Sequence, residues 1–225
     1  MISRAITAAA MAFGLAACSS EQSTEPSNFE LLRGALGGMV SGLMGGDDAQ
    51  PAGLSISPEM VASSPTPLLV AAVPATGGQA LMAPLLSNGN RDTWGSNDGI
   101  TVTSVDGVVV GTRGLGYDLM GADTGGLRAV IAAGGGETVR INDRLNGLGV
   151  VERLPYACEV VIEGRETIPV IDRQVAATKV SETCRGGQVA FQNLYWIEDS
   201  GFVRQSQQWV NEEVQYLVVQ VLKDS

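Results

Sequence analysis

In the second half of the chain, apolar and polar residues alternate in short runs rather than recurring every third or fourth position. From Thr138 onward this pattern predicts strands at 138–142, 149–154, 157–163, 167–178, 188–197, 202–210 and 214–222. β-Branched and aromatic residues fill these runs and turn residues bound them. Upstream, "PLLVAAVP" at 67–74 predicts a strand between prolines, and residues 79–114 predict a further series. Asn88-Gly89, Asp98-Gly99 and Asp106-Gly107 are hairpin signals within it, because such pairs accept the positive φ of tight two-residue turns. Residues 115–136 are glycine-rich, with one helical turn expected near Leu127 to Ala132. Linkers are short and no crossover helices are visible, so antiparallel connections dominate. The expected fold is mainly β: an antiparallel β-sandwich or a partly closed barrel, with one short N-terminal helix and few others.

One stretch breaks the alternation. In "NLYWIEDSGFVRQSQQWV", Asn193 to Val210, two tryptophans flank five consecutive polar residues, Arg204 to Gln208. Ser200-Gly201 is the expected turn. On the return strand Phe202, Arg204, Ser206, Gln208 and Val210 share one face, and Val203, Gln205, Gln207 and Trp209 the other. Both faces are therefore polar in the middle. Loop parity leaves Trp196 either on the Trp209 face or beside Arg204 and Gln208. Exposed, these residues are the parts of a sugar-stacking platform; half-buried, they are a structural hairpin.

The segment "FELLRGALGGMVSGLMGG" is different. Phe29, Leu32, Leu36, Met39, Val40 and Leu43 recur at helical spacing, and Gly34, Gly38 and Gly42 form a small-residue row that permits close packing. A short helix docked on its own domain, an interaction helix and a membrane-lying helix all fit. Residues 45–66 read as loop-rich, with prolines at 51, 58 and 65.

Charge narrows the partners. The formal net charge is −10, which argues against nucleic acid and against docking on an anionic bilayer by charge alone. Glycine is 29 of 225 residues, about 13% against ~7% in ordinary chains, in keeping with many tight turns. There is no histidine, so Ser-His-Asp and Cys-His triads and His-based metal sites are excluded. No cofactor or metal is expected. "GTRGLGYD" at 111–118 and "GGG" at 134–136 lack the strand–loop–helix context of a phosphate loop. They read instead as bends at strand ends. Asp118, Asp123, Glu137, Asp143, Glu198 and Asp199 could serve two-carboxylate chemistry by type, but no spacing selects a pair. Nine of the twelve arginines lie between Arg113 and Arg204. Clustered in space, they could bind uronic acids through guanidinium forks; otherwise they are scattered surface charges.

The first residues, "MISRAITAAAMAFGLAACSS", carry Arg4, an apolar run from Ala5 to Ala17, and then Cys18. Leu15-Ala16-Ala17-Cys18 resembles the bacterial lipobox, which implies a signal peptide at 1–17 and lipidation at Cys18. A plain signal peptide with a chance cysteine is the rival. Ser19 after Cys18 favours the outer membrane by resemblance to Gram-negative sorting rules. Export sets an oxidising compartment, so Cys158 and Cys184 are expected to pair rather than remain buried thiols. The expected organisation is signal peptide 1–17, lipidated tether 18–28, glycine-rich helix and loop 29–66, and a β domain at 67–225.

Two blocks resemble one family. "TWGSNDGITVTSVDGVVVGTRGLGYDL" (93–119) is similar to the hallmark hairpin of YjbF/GfcB-type lipoproteins, which are associated with group 4 capsule and exopolysaccharide production. Thr112, Gly114, Leu115, Gly116, Asp118 and Leu119 carry that match. Asn193, Tyr195, Trp196, Ser206, Gln208 and Trp209 match the family's closing block, and Cys158 and Cys184 fall where it tends to carry a cysteine pair. The resemblance implies a mainly β, lipid-anchored envelope protein, placed in the outer membrane facing the periplasm. Its role would be non-enzymatic: capsule or exopolysaccharide assembly and export, by binding glycan or an export protein. Trp196, Arg204, Gln208, Trp209, Arg113 and Asp118 are the candidate glycan or partner surface. A polysaccharide-modifying enzyme using carboxylates and a general structural envelope lipoprotein are the alternatives.

Overall fold

Turn chemistry sets the topology. A computed structural model describes residues 54–224. The lipobox, Cys18, the tether and the glycine-row segment at 29–46 lie outside them. Twelve strands run in chain order: β1 (Leu68–Val73), β2 (Gly78–Asn88), β3 (Arg91–Gly95), β4 (Thr101–Val105), β5 (Val108–Arg113) and β6 (Gly121–Asp123); then β7 (Gly136–Leu145), β8 (Val151–Val170), β9 (Arg173–Gly186), β10 (Val189–Ile197), β11 (Val203–Asn211) and β12 (Gln215–Lys223). Two six-residue helices, α1 (Pro58–Ser63) and α2 (Leu127–Ala132), accompany them. The three Asn-Gly and Asp-Gly pairs are turns, with Gly89, Gly99 and Gly107 at positive φ.

The sheet order is β5-β4-β3-β2-β1-β12-β11-β10-β9-β8-β7-β6, antiparallel throughout. β1 and β12 zip the two ends of the domain together at the centre, with Leu68 opposite Lys223. The outer edges curl back toward each other, giving a nearly closed barrel. At the seam the Thr112 amide donates to the Leu119 carbonyl at 2.9 Å, and the Met120 amide donates to the Asp143 carbonyl at 2.8 Å. Curling blunts the edges that an open sheet would present for aggregation.

Alternate residues face the barrel interior. Leu69, Ala71, Met82, Trp94, Val102, Val109, Leu217 and Val219 belong to one interior cluster; Val108, Leu127, Val160, Val180 and Tyr195 belong to another. The opposite face of β1, β10 and β12 is also buried. The far half of the β8–β9 hairpin folds over it, so that Ile168, Val170 and Ala177 join Val70, Leu194, Trp196, Val218 and Leu222 in a separate cluster. The register shift between Ile162 and Gly164 marks the bend. Gln220 donates to the Pro169 carbonyl and Arg173 to the Leu222 carbonyl, which pins the flap. α1 closes the same side. Ser57 caps it by accepting from the Met60 amide, Val61 is buried, and Lys223 donates to the Ala62 and Ser64 carbonyls.

The sequence pattern is corrected in two places. The expected strands at 149–154 and 157–163 and the first part of 167–178 are one 20-residue strand, β8, and the true turn falls inside the third segment at Ile171 and Asp172. Pro155 and Gly164 read as strand ends, yet the ladder runs through them. Ile171 takes φ +57 without the glycine or asparagine that announces such a turn. The loop-rich stretch before residue 67 contains α1.

Cys158 and Cys184 stand opposite each other on β8 and β9 and form a disulfide across a separation of 26 residues. A Cys158→Ala/Cys184→Ala variant is expected to lose about 3 kcal/mol of stability by the chain-entropy relation, read as a lower urea midpoint with an intact native circular-dichroism spectrum.

Candidate functional site

β11 is buried on both faces, which explains its broken alternation. Its polar run sits under the β8–β9 flap on one side and inside the barrel on the other. Under the flap, Gln205 accepts from Gln220 at 2.6 Å, and Trp196, opposite Gln205, donates through Nε1 to Glu166 at 2.9 Å.

Inside, the run meets a closed polar network. Arg140 on β7 grips Glu182 on β9 through Nε (3.2 Å) and Nη2 (2.9 Å). Their side chains are 2% and 0% exposed. Asn193 donates to Glu182 at 2.7 Å, and the Tyr195 hydroxyl donates to it at 2.8 Å while accepting from Arg140 at 3.0 Å. Burial, then the Glu182 charge, push the Tyr195 hydroxyl well above its ordinary value, with Arg140 opposing. Tyr195 therefore remains a donor at any physiological pH. Gln208 lies beside the Tyr195 hydroxyl and donates to Ser206 at 2.9 Å. Cys158, Cys184 and Glu182 bring their sulfur and oxygen atoms within 4.8 Å of one another. Both sulfurs are consumed by the disulfide, so neither is the thiolate a metal would need.

One barrel end is open. The turns at 89–90, 106–107 and 198–202, together with α2 and Asp224, ring a cavity of about 520 Å³, within the usual range for small-ligand sites. Leu69, Val102, Val109, Val219 and Val221 give it an apolar floor. Trp94, Asp92, Ser104 and Arg128 stand on its wall. Arg204 braces the rim: it pairs with Glu198 at 2.5 Å and Asp224 at 3.3 Å, donates to the Val221 carbonyl, and lies 4.7 Å from the Phe202 ring centroid.

The six residues expected to form a binding surface do not share one. Trp196, Arg204 and Gln208 are 0%, 3% and 2% exposed. Trp209 is half-buried, stacked on Phe191 at 5.7 Å and edge-on to Tyr216 at 5.3 Å. Its amide donates to the Asn193 side chain rather than to the β10 ladder. Arg113 donates to the Thr112, Leu119 and Met120 carbonyls at the seam. Asp118 accepts from Thr112 Oγ1 (2.9 Å) and from the Gly114 and Leu115 amides. Gly114 and Gly116, at φ +90 and +86, let the loop turn back onto it. Nor do the arginines gather: Arg140, Arg144, Arg153, Arg165 and Arg204 are each spent on local carboxylates. Asp92, Ser104 and Arg128 were not singled out from sequence. They are far apart in the chain, and only closure of the barrel brings them to one cavity.

Removing one partner of the Arg140–Glu182 pair leaves a buried charge uncompensated. Glu182→Leu is expected to cost about 3–5 kcal/mol in urea unfolding, with Arg140→Met/Glu182→Leu losing less than the sum of the single variants. A milder effect is expected at the rim. Partial burial opposes ionisation of Asp224, but the hydrogen bond and charge of Arg204 outweigh it and lower its carboxyl from 3.8. A lowered folded value stabilises above the unfolded one and is lost as pH falls through it. Urea midpoints should therefore drop below about pH 4, less steeply in Asp224→Asn.

Comparison with known proteins fits this architecture. No curated protein matches the chain at a significant level. Among solved structures it is similar to the crystal structure of the hypothetical lipoprotein YmcC from Escherichia coli (K12). The TM-score is 0.66 at 17% identity, over 76% of this chain and 90% of that one. A family model described as the group 4 capsule polysaccharide lipoprotein gfcB, YjbF, matches residues 38–222, starting upstream of the β domain expected from sequence. Both signature blocks lie within that span, one locking the barrel seam and the other supplying the buried network, and the chain belongs to the YjbF family of group 4 capsule polysaccharide lipoproteins.

Proposed function

We propose that the protein is a lipid-anchored accessory factor for capsule or exopolysaccharide assembly and export, which binds glycan or an export partner and catalyses no reaction. Anchoring would be through Cys18, in the outer membrane facing the periplasm. Family membership supports the polysaccharide role. The observation that carries a binding role is the contrast between two polar sites. The Arg140–Glu182–Tyr195 cluster, which has the residue types of acid–base chemistry, is sealed from solvent, whereas the open end of the barrel offers a concave site with an apolar floor.

One observation favours an enzyme reading: Asp92, Asp106, Glu198 and Asp224 all line that cavity. A glycosidase needs one carboxyl held protonated by a raised pKa. Glu198 and Asp224 are instead both ion-paired to Arg204, which lowers Asp224. That arrangement suits bracing of a rim better than proton donation.

Deletion of the gene should reduce surface polysaccharide, measured as uronic acid and total sugar in the cell-associated and released fractions. Wild type should restore it and Cys18→Ala should restore much less. Unchanged polymer in the deletion strain would sink the proposal. Loss of function in Glu198→Gln, with cavity binding retained, would favour the enzyme.

A further inference from the structure

We propose that the open barrel end binds an uncharged sugar residue of a glycan chain, held by adjacent hydroxyl groups. The inference rests on the binding role proposed above and names its ligand class. Asp92 and Ser104 are direct cross-strand partners on β3 and β4, and both side chains face the cavity. Among the described residues neither side chain has a hydrogen-bond or ion-pair partner, although Ser104 is only 7% exposed. On another wall Arg128 donates through Nη2 to the Gly201 carbonyl, while Nη1 is buried with no protein partner. Buried polar groups in native proteins are nearly always paired. Arg128 Nη1 is such an exception, and across the same cavity the partly exposed Asp92 carboxylate and the Ser104 hydroxyl are also without described partners, so one ligand can supply all three.

The set has a definite chemistry. Asp92 only accepts, the Arg128 guanidinium only donates, and Ser104 does either. A hydroxyl both donates and accepts, so adjacent hydroxyls can give to the carboxylate and take from the guanidinium at once. Trp94, two residues from Asp92 on the same face of β3, adds an aromatic wall for the C–H face of a sugar ring. Charge then selects among sugars. The Glu198 and Asp224 carboxylates are paired with Arg204, but those of Asp92 and Asp106 face the cavity without an ion pair. A uronic acid would be repelled by these two; an ammonium group would be drawn to them but, being only a donor, would leave the Arg128 guanidinium without the acceptor that a hydroxyl gives it. The neutral ring satisfies all three unpaired groups without a clash of charge.

The test uses the purified full-length chain in detergent. Binding is measured to immobilised neutral trisaccharides of glucose, galactose and mannose, to a glucosamine trisaccharide and to a galacturonate trisaccharide. At least one neutral probe should bind with an affinity that high salt leaves unchanged. Asp92→Ala and Ser104→Ala should each weaken it about tenfold. Asp92 has no partner to lose, so its variant should keep the wild-type thermal midpoint, and Ser104→Ala provides a second test. The proposal is overturned if no neutral probe binds, if only a charged probe does, or if both variants bind as wild type. Binding without any polysaccharide defect in the deletion strain would keep the sugar site and sink the proposed role. A polymer defect complemented fully by Asp92→Ala would do the reverse.

Discussion

Glu182 is a carboxylate with no exposed surface, and an isolated charge of that kind would cost far more than a domain's whole stability margin. It persists because Arg140 opposes it in a fork and Asn193 and Tyr195 both donate to its Oε2. These partners come from β7 and β10, so the carboxylate ties three strands into one register across the barrel floor. A one-residue slip of any of them would turn its partner to the opposite face. The pair adds little net stability over an apolar core; its effect is to penalise every other alignment. Gln208 and Ser206 on β11 extend the same network, which is why a strand in the middle of the sheet can carry five polar residues in succession.

The family signatures acquire a physical reading from this arrangement. Thr112, Gly114, Leu115, Asp118 and Leu119 form a self-bonded loop: the Thr112 hydroxyl donates to Asp118 and accepts from the Leu119 amide. That loop carries the hydrogen bond by which the β5 edge meets its counterpart. Asn193, Tyr195, Ser206 and Gln208 are interior positions of the network. These matched positions therefore specify how the barrel closes. Of the residues proposed to bind, Trp94 and Ser104 lie within the span of the first block, and Asp92 and Arg128 lie outside both.

Much of this architecture was legible in the chain. The Asn-Gly and Asp-Gly turns, the helix at Leu127–Ala132 and the antiparallel order follow from local chemistry that tertiary context did not override, and the cysteine pair from the expected compartment and the family resemblance. β8 was not legible, because Pro155 and Gly164 mimic boundaries while Ile171 conceals the real one. The fate of Trp196 and Gln205 was hidden for another reason. Alternation reports one buried face at most, and here a distant hairpin covers the second. The cavity was least visible of all. Asp92, Ser104 and Arg128 each look like an ordinary surface residue until the sheet curls, and no spacing in the sequence records their convergence.

The pairing of β1 with β12 has a consequence for how the chain is made. The first strand of the barrel finds its second neighbour only in the last, some 150 residues later, so the sheet cannot close until the C-terminal strand has emerged. Closing so long a loop is slow. A nascent chain therefore carries an unfinished sheet throughout its synthesis and commits to its final form only after release. The keystone arrives last, so barrel closure tests the whole chain at once.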